Sequence, residues 1–158
     1  AVRLFAQEIL QQQSWEIGLM QRQLEHWDQR RENRPPDAMA WMGMEMPVED
    51  MPGLASDEEL RALRDAEGTA ADALFLALMT DHHRAGIDMA AAAAERASDP
   101  WVRDLAERMA RNQAIEIEEM EAARRRTGLA DDPAGYEPGP FPDHVAADGM
   151  DGMDHSGG

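Results

Sequence analysis

The chain contains no cysteine. Disulfide staples and thiolate metal ligands are therefore excluded, and any soft-metal chemistry has to use thioether and imidazole groups. Such ligands survive in an oxidising compartment, where free thiols are lost to disulfides, so the composition is in keeping with export. Lysine is absent as well: all 15 basic residues are arginine, which reads as a GC-rich coding bias rather than a physical requirement. Aromatics are scarce, at 4 Trp, 1 Tyr and 3 Phe, and β-branched residues are few. That removes the usual material of strands and leaves an all-α class rich in Ala, Leu, Met, Glu and Arg. No transmembrane run or signal peptide is visible. The chain opens at Ala1 inside a helical pattern, without an initiator Met or a cap, as a mature or truncated product would.

Positive charge is outweighed overall, and the net charge is −17 over 158 residues. This argues against nucleic acid and against anionic membrane surfaces, and suits a protein that attracts cations. What the chain does have is 12 Met and five His.

One stretch occurs twice, a hundred residues apart. Val2, Arg3, Ala6, Gln13, Glu16, Ile17 and Met20 recur as Val102, Arg103, Ala106, Gln113, Glu116, Ile117 and Met120. On a wheel of roughly 100° per residue, Leu105, Met109, Gln113, Glu116, Met120 and Ala123 share about one quarter of the circumference. Phe5, Ile9, Gln13, Glu16 and Met20 do the same in the first copy. Two such helices predict a pseudo-symmetric helical bundle. Each places a Gln and a Glu on its apolar face, where a carboxylate must be paired or metal-bound. A Gln–Glu pair that cross-links helices is the plainer reading.

The expected elements follow from breakers and caps. A first helix runs from Val2 to about Arg31, stopped by Pro35 and Pro36. A Met-rich linker spans 33–55. Ser56 and Glu59 form a capping box for a short helix ended by Gly68. A third helix runs from Thr69 to about Ala97. Asp99-Pro100 opens a fourth, which ends near Arg126 at Gly128. Residues 1–128 thus read as one helical domain. Residues 129–158, with four Pro, six Gly, seven acidic residues and no Arg, read as a disordered acidic tail.

The third helix carries the sharpest chemical signal. Met79, His82, Gly86 and Met89 lie within about 40° of Phe75, and His83 lies near 80°. Both histidines therefore face the interior with thioethers nearby, as a copper site requires. The competing reading is a pair of core histidines hydrogen-bonded to Glu116 or Gln113. Met39, Met42, Met44 and Met46 in the linker are weaker candidate ligands, or gap filler. His144, Met150, Met153 and His155 in the tail are the same, or neutral drift.

The string Phe75-Leu-Ala-Leu-Met79-Thr-Asp-His82-His83-Arg-Ala-Gly-Ile-Asp-Met89-Ala90, followed by Leu105-Ala106 and Gln113-Ala-Ile-Glu116-Ile117-Glu-Glu-Met120, resembles the Domain of Unknown Function 305 family. The resemblance spans about Val2 to Arg126. It implies a secreted bacterial protein with a ferritin-like four-helix bundle, in a family that includes copper-binding CopM-like members. It also implies two His-His helices, each followed by a Gln-x-x-Glu-Ile helix. Here the second pair is complete, and the first is represented by Gln13, Glu16 and Met20 alone. The implied site residues are Met79, His82, His83, Met89, Gln113, Glu116 and Met120.

Three functions follow as expectations. The first is a secreted or periplasmic protein that sequesters copper through His and Met, the ion not being needed for folding. The second is a ligand-free structural or interaction bundle. The third, a di-metal oxidoreductase, needs Glu-x-x-His, and Leu19 and Glu119 stand where those histidines belong; no enzyme activity is expected. Three long helices leave a four-helix bundle incomplete, so either a homodimer or an upstream helix is expected to cover the open face.

Overall fold

The computed structural model describes residues 2–29 and 37–139. Within them the chain is an all-α helical bundle. Its helices are α1 (Val2–His26), α2 (Asp57–Asp65), α3 (Gly68–Arg96) and α4 (Pro100–Thr127). A minimal two-stranded ladder, β1 (Asp37–Ala38) with β2 (Met46–Pro47), folds the linker back on itself. No described helix is long and apolar enough to cross a membrane.

Local chemistry sets most of the boundaries. Ser56 and Glu59 exchange hydrogen bonds at 2.8 and 3.2 Å and start α2. The Asp99 carboxylate accepts from the Trp101 amide at 2.8 Å, and Pro100 occupies the first turn of α4. Gly128, at φ 64°, supplies the left-handed residue that ends it. α1 stops at His26, five residues short of the expected Arg31. Asp28 adopts φ 53°, its amide donates to Glu25 O at 3.0 Å, and that of Gln29 donates to Leu24 O at 2.8 Å. These two bonds are a Schellman closure with Asp in the glycine position. Pro35 and Pro36, the expected stop, lie outside the described residues.

α3 and α4 form the closely packed pair, and α1 stands off from both. Its direction follows from the cavities beside it. Leu24 and Trp27 share one with Trp101 and Leu105, while Phe5 and Glu8 share another with Ile115 and Glu119. α1 and α4 are therefore antiparallel, crossing near Glu16 and Glu116. The core holds Leu74, Leu76, His83 and Met120, all fully buried. Val2, Leu76 and Met120 gather Phe5, Phe75, Met79, Ile117 and Leu129 around them.

The packed chain runs past the expected domain boundary at Gly128. Leu129 joins the core cluster. The Tyr136 hydroxyl and the Gly139 amide donate to Oδ2 of Asp81 at 2.7 and 3.0 Å, and the Glu137 amide donates to Glu59. Residues 129–139 are thus a strap across α2 and α3 rather than solvated tail. Their Pro and Gly content hid three long-range hydrogen bonds. Residues 140–158 lie outside the described residues.

Candidate functional site

The two adjacent histidines are held quite differently. His83 is fully buried. Its Nδ1 lies 2.8 Å from Met79 O, one turn back on α3, and its Nε2 lies 2.7 Å from Oε2 of Glu116 on α4. A carbonyl can only accept, so Nδ1 carries a proton. A second proton bridges Nε2 and the carboxylate. Both ring nitrogens are therefore engaged, and a metal could reach this ring only by displacing Glu116.

His82 is half-buried and its ring stands edge-on to that of His83, with centroids 6.1 Å apart. Its Nδ1 donates to Gly53 O at 3.0 Å, which fixes the tautomer and leaves Nε2 with a lone pair. Among the described residues nothing pairs with that nitrogen. Gly53 comes so close that a Cβ there would overlap Ala85 Cβ, so only glycine lets the loop carbonyl reach the ring. His82 lines a cavity of about 550 Å³ between α1, α3 and α4. Met20, Met89 and Met109 line the same cavity, with Trp27, Trp41 and Trp101 at its rim end and Gln13, Glu16 and Gln113 on its inner wall.

The predicted site residues divide accordingly. His82, Met89 and Gln113 border the cavity, and so does Met20. His83, fully buried, pairs beside it with the half-buried Glu116. Gln113 is nine-tenths buried, with an Oε1 that makes no hydrogen bond and packs against Gly86, filling the space a Cβ would take. Met79 contributes its backbone carbonyl to His83 while its side chain packs on the core. Met120 is a core residue with its sulfur 4.0 Å from Thr80 Oγ1. Of the linker methionines, Met39 is buried in a left-handed turn at φ 65°, Met42 and Met46 are half-buried, and Met44 is exposed; none borders the His82 cavity. His144, Met150, Met153 and His155 lie outside the described residues.

Sequence reasoning placed Met109 on the inward face without choosing it as a ligand, and missed Gly53 and the three tryptophans. Only Met109 had a signal, its position on the same wheel face as Gln113. Among the described residues no three His, Asp or Glu side chains come together as a metal cage, so the donors present are one imidazole, thioethers and an amide. Glu16 is buried on the α1 side. Burial pushes its carboxyl above the usual range, and the charge of Glu116 adds to this; a hydrogen bond from Gln12 and the nearness of His83 oppose it.

The fold has a counterpart elsewhere. A Streptomyces coelicolor structure, described as a secreted protein of the same domain family, superposes with a TM-score of 0.75 at 34% identity, covering 83% of this chain and 77% of that one. No functionally curated protein matches. The family model described as "Domain of unknown function (DUF305)" matches residues 1–124, so it takes in every residue of the histidine–glutamate pair and the cavity wall, and the chain belongs to the DUF305 family.

Proposed function

We propose that this protein is an exported copper-binding protein that takes up copper(I) at His82 in the methionine-lined cavity. One observation carries this reading: an imidazole whose Nδ1–H is tied to Gly53 O, whose Nε2 is unpaired among the described residues, and which lines the same cavity as Met20, Met89 and Met109. Neutral imidazole and thioether are the donors that favour copper(I). The Gly53 carbonyl acts as the outer partner that orients a ligating ring. A carboxylate cage for a hard cation is not formed among the described residues. Export is supported by the secreted relative and by the cysteine-free composition.

In this reading His83 and Glu116 hold α3 to α4 and do not bind the ion. Competition of the protein with a chromogenic copper(I) chelator tests the division. His82→Ala should weaken copper(I) affinity by at least about tenfold, in the range seen when metal-site partners are removed, with the melting temperature little changed. Glu116→Ala should do the reverse, leaving copper affinity near that of the parent but destabilising the fold by ~1–3 kcal/mol, as leaving a buried ring nitrogen without its hydrogen-bond partner does. Unaltered copper(I) affinity in His82→Ala would refute the assignment and leave a ligand-free bundle.

A further inference from the structure

The loop that orients His82 has little of its own to hold it. Between Met51 and Ala55 the backbone makes two local hydrogen bonds among the described residues. Met51 donates to Val48 O at 3.2 Å and Leu54 to Met51 O at 3.3 Å, at or beyond the long end of the usual range. Yet Gly53 sits hard against α3. A Cβ there would overlap Ala85 Cβ and lie 3.0 Å from Asp81 O, and the Gly53 carbonyl takes the His82 Nδ1 proton at 3.0 Å. A loop bonded this sparsely opens readily, so something outside it keeps the carbonyl on the ring.

The strap at 129–139 lies on the loop's other side. Loop and strap face each other across a cleft of about 220 Å³, with Leu78 and Asp81 of α3 between them. The Tyr136 hydroxyl and the Gly139 amide both donate to Oδ2 of Asp81. Asp81 precedes His82, and Gly53 packs against its backbone carbonyl. Burial first, and then the Asp81 carboxylate, push the Tyr136 hydroxyl's pKa up, so the hydroxyl keeps its proton and remains a donor. The Glu137 amide donates to Oε1 of Glu59, whose Oε2 accepts from the Ser56 amide and hydroxyl at 2.8 and 2.9 Å. Ser56 ends the loop, three residues after Gly53. One carboxylate thus joins the strap to the loop's exit, and another joins it to the turn of α3 that carries the imidazole. Gly135 seats the strap on α2: at φ 86°, a Cβ there would lie 2.7 Å from Ala62 Cβ.

We infer that the strap is the positioning element of the His82 ring: Tyr136 and Gly139 on Asp81, with Glu137 on Glu59, hold the Gly53 carbonyl against Nδ1 and so keep Nε2 bare. The loop is the two-state element, seated or unseated, that both ends bias. Once unseated, it withdraws its acceptor, and the ring takes up the other tautomer, with the proton on Nε2. The consequence for copper rests on the function proposed above, since only a deprotonated nitrogen ligates. The tautomer itself is a property of the metal-free protein. Tyr136, Glu137 and Gly139 therefore act through Gly53 rather than on the ring.

Nitrogen-15 NMR of the metal-free full chain reads the tautomer, with the His82 signals assigned by their loss in His82→Ala. The parent should show a protonated Nδ1 and a bare Nε2. Gly135→Ala unseats the strap without altering the loop or the His82 turn, because the new Cβ meets Ala62 at a backbone conformation that favours glycine. It should bring up an Nε2–H population at His82, and Tyr136→Phe a smaller one. His83, held by Met79 O and Glu116, should keep its signals in both. Arg103→Ala removes two distant hydrogen bonds, to Ala97 O and Ser98 O, and should leave both rings unchanged. In competition for copper(I), Gly135→Ala should bind roughly threefold or more weakly, short of the ~10–100-fold cost of losing a direct outer partner. Tyr136→Phe deletes one hydroxyl and reports even if Gly135→Ala fails to fold. A His82 tautomer unchanged in the strap variants, or shifted as much by Arg103→Ala, overturns the proposal. A tautomer that shifts only with the strap, in a protein that takes up no copper(I), sustains the positioning role and refutes the copper reading alone.

Discussion

Glu16 and Glu116 occupy equivalent places in the repeat yet meet opposite fates. Glu116 finds an imidazole at 2.7 Å. Glu16 is buried with no hydrogen bond to a histidine, and its carboxyl is pushed above the usual range, first by that burial. The sign of the consequence is fixed. A carboxyl whose folded value lies above its ordinary 4.5 holds its proton more tightly in the native state. It is compatible with the fold below that ordinary value, and its contribution is lost as the pH rises through the raised one. Glu16→Gln keeps the shape and removes the charge. It should therefore melt higher than the parent at about pH 7, with the gap closing towards about pH 4. Thermal denaturation at the two pH values checks this, and a gap of the same size at both would mean that the carboxyl does not titrate differently in the fold. The wheel put Glu16 on the inward face, so its burial was legible. Which of the two glutamates gains a histidine was legible only in part. His83 points inward from the periodicity, but nothing in the spacing separates a ring held by Glu116 from one held by a loop carbonyl.

At the scale of elements, what was readable was local. The capping box of α2, the Asp-Pro start of α4 and its Gly128 end depend on residues within one turn of each other, and all are formed. The end of α1 was misread because Asp28 takes a left-handed conformation in which glycine is the usual signal. The strap at 129–139 was missed because it depends on Asp81, over fifty residues away. The close approach of α3 and α4 also depends on one small residue. Gly86 lies where a Cβ would overlap the Gln113 side chain, and Gln113 is too buried to move aside. Gly86→Ala gains up to ~1 kcal/mol of helix propensity but incurs ~1–3 kcal/mol of overpacking. The net effect should be a loss of stability of up to about 2 kcal/mol in urea denaturation. Adding Gln113→Ala should recover part of it, because the two side chains compete for one space. If Gly86→Ala instead raises the midpoint, the glycine is there for no packing reason.

The whole molecule is built in two tiers. α3 and α4 pack tightly around Leu76, His83 and Met120, whereas α1 stands off and forms the far wall of the cavity with Met20, Leu24 and Trp27. The all-α class and the paired-helix plan were visible in the repeat. The unequal spacing was not, because identical seams on α1 and α4 do not say which one the chain itself covers. Elements with few packed neighbours open at lower free energy than the core they lean on. Amide hydrogen exchange should accordingly be faster along α1 than in the middle of α3 and α4, and uniform protection over all three would contradict the two-tier plan. The stand-off of α1 also gives the cavity a wall of its own kind. A guest beside His82 touches α1 as well as the α3–α4 hairpin behind it, so filling the cavity adds packed neighbours to the helix that has fewest. Slower exchange in α1 is then the expected measure of occupancy, taken far from the imidazole itself.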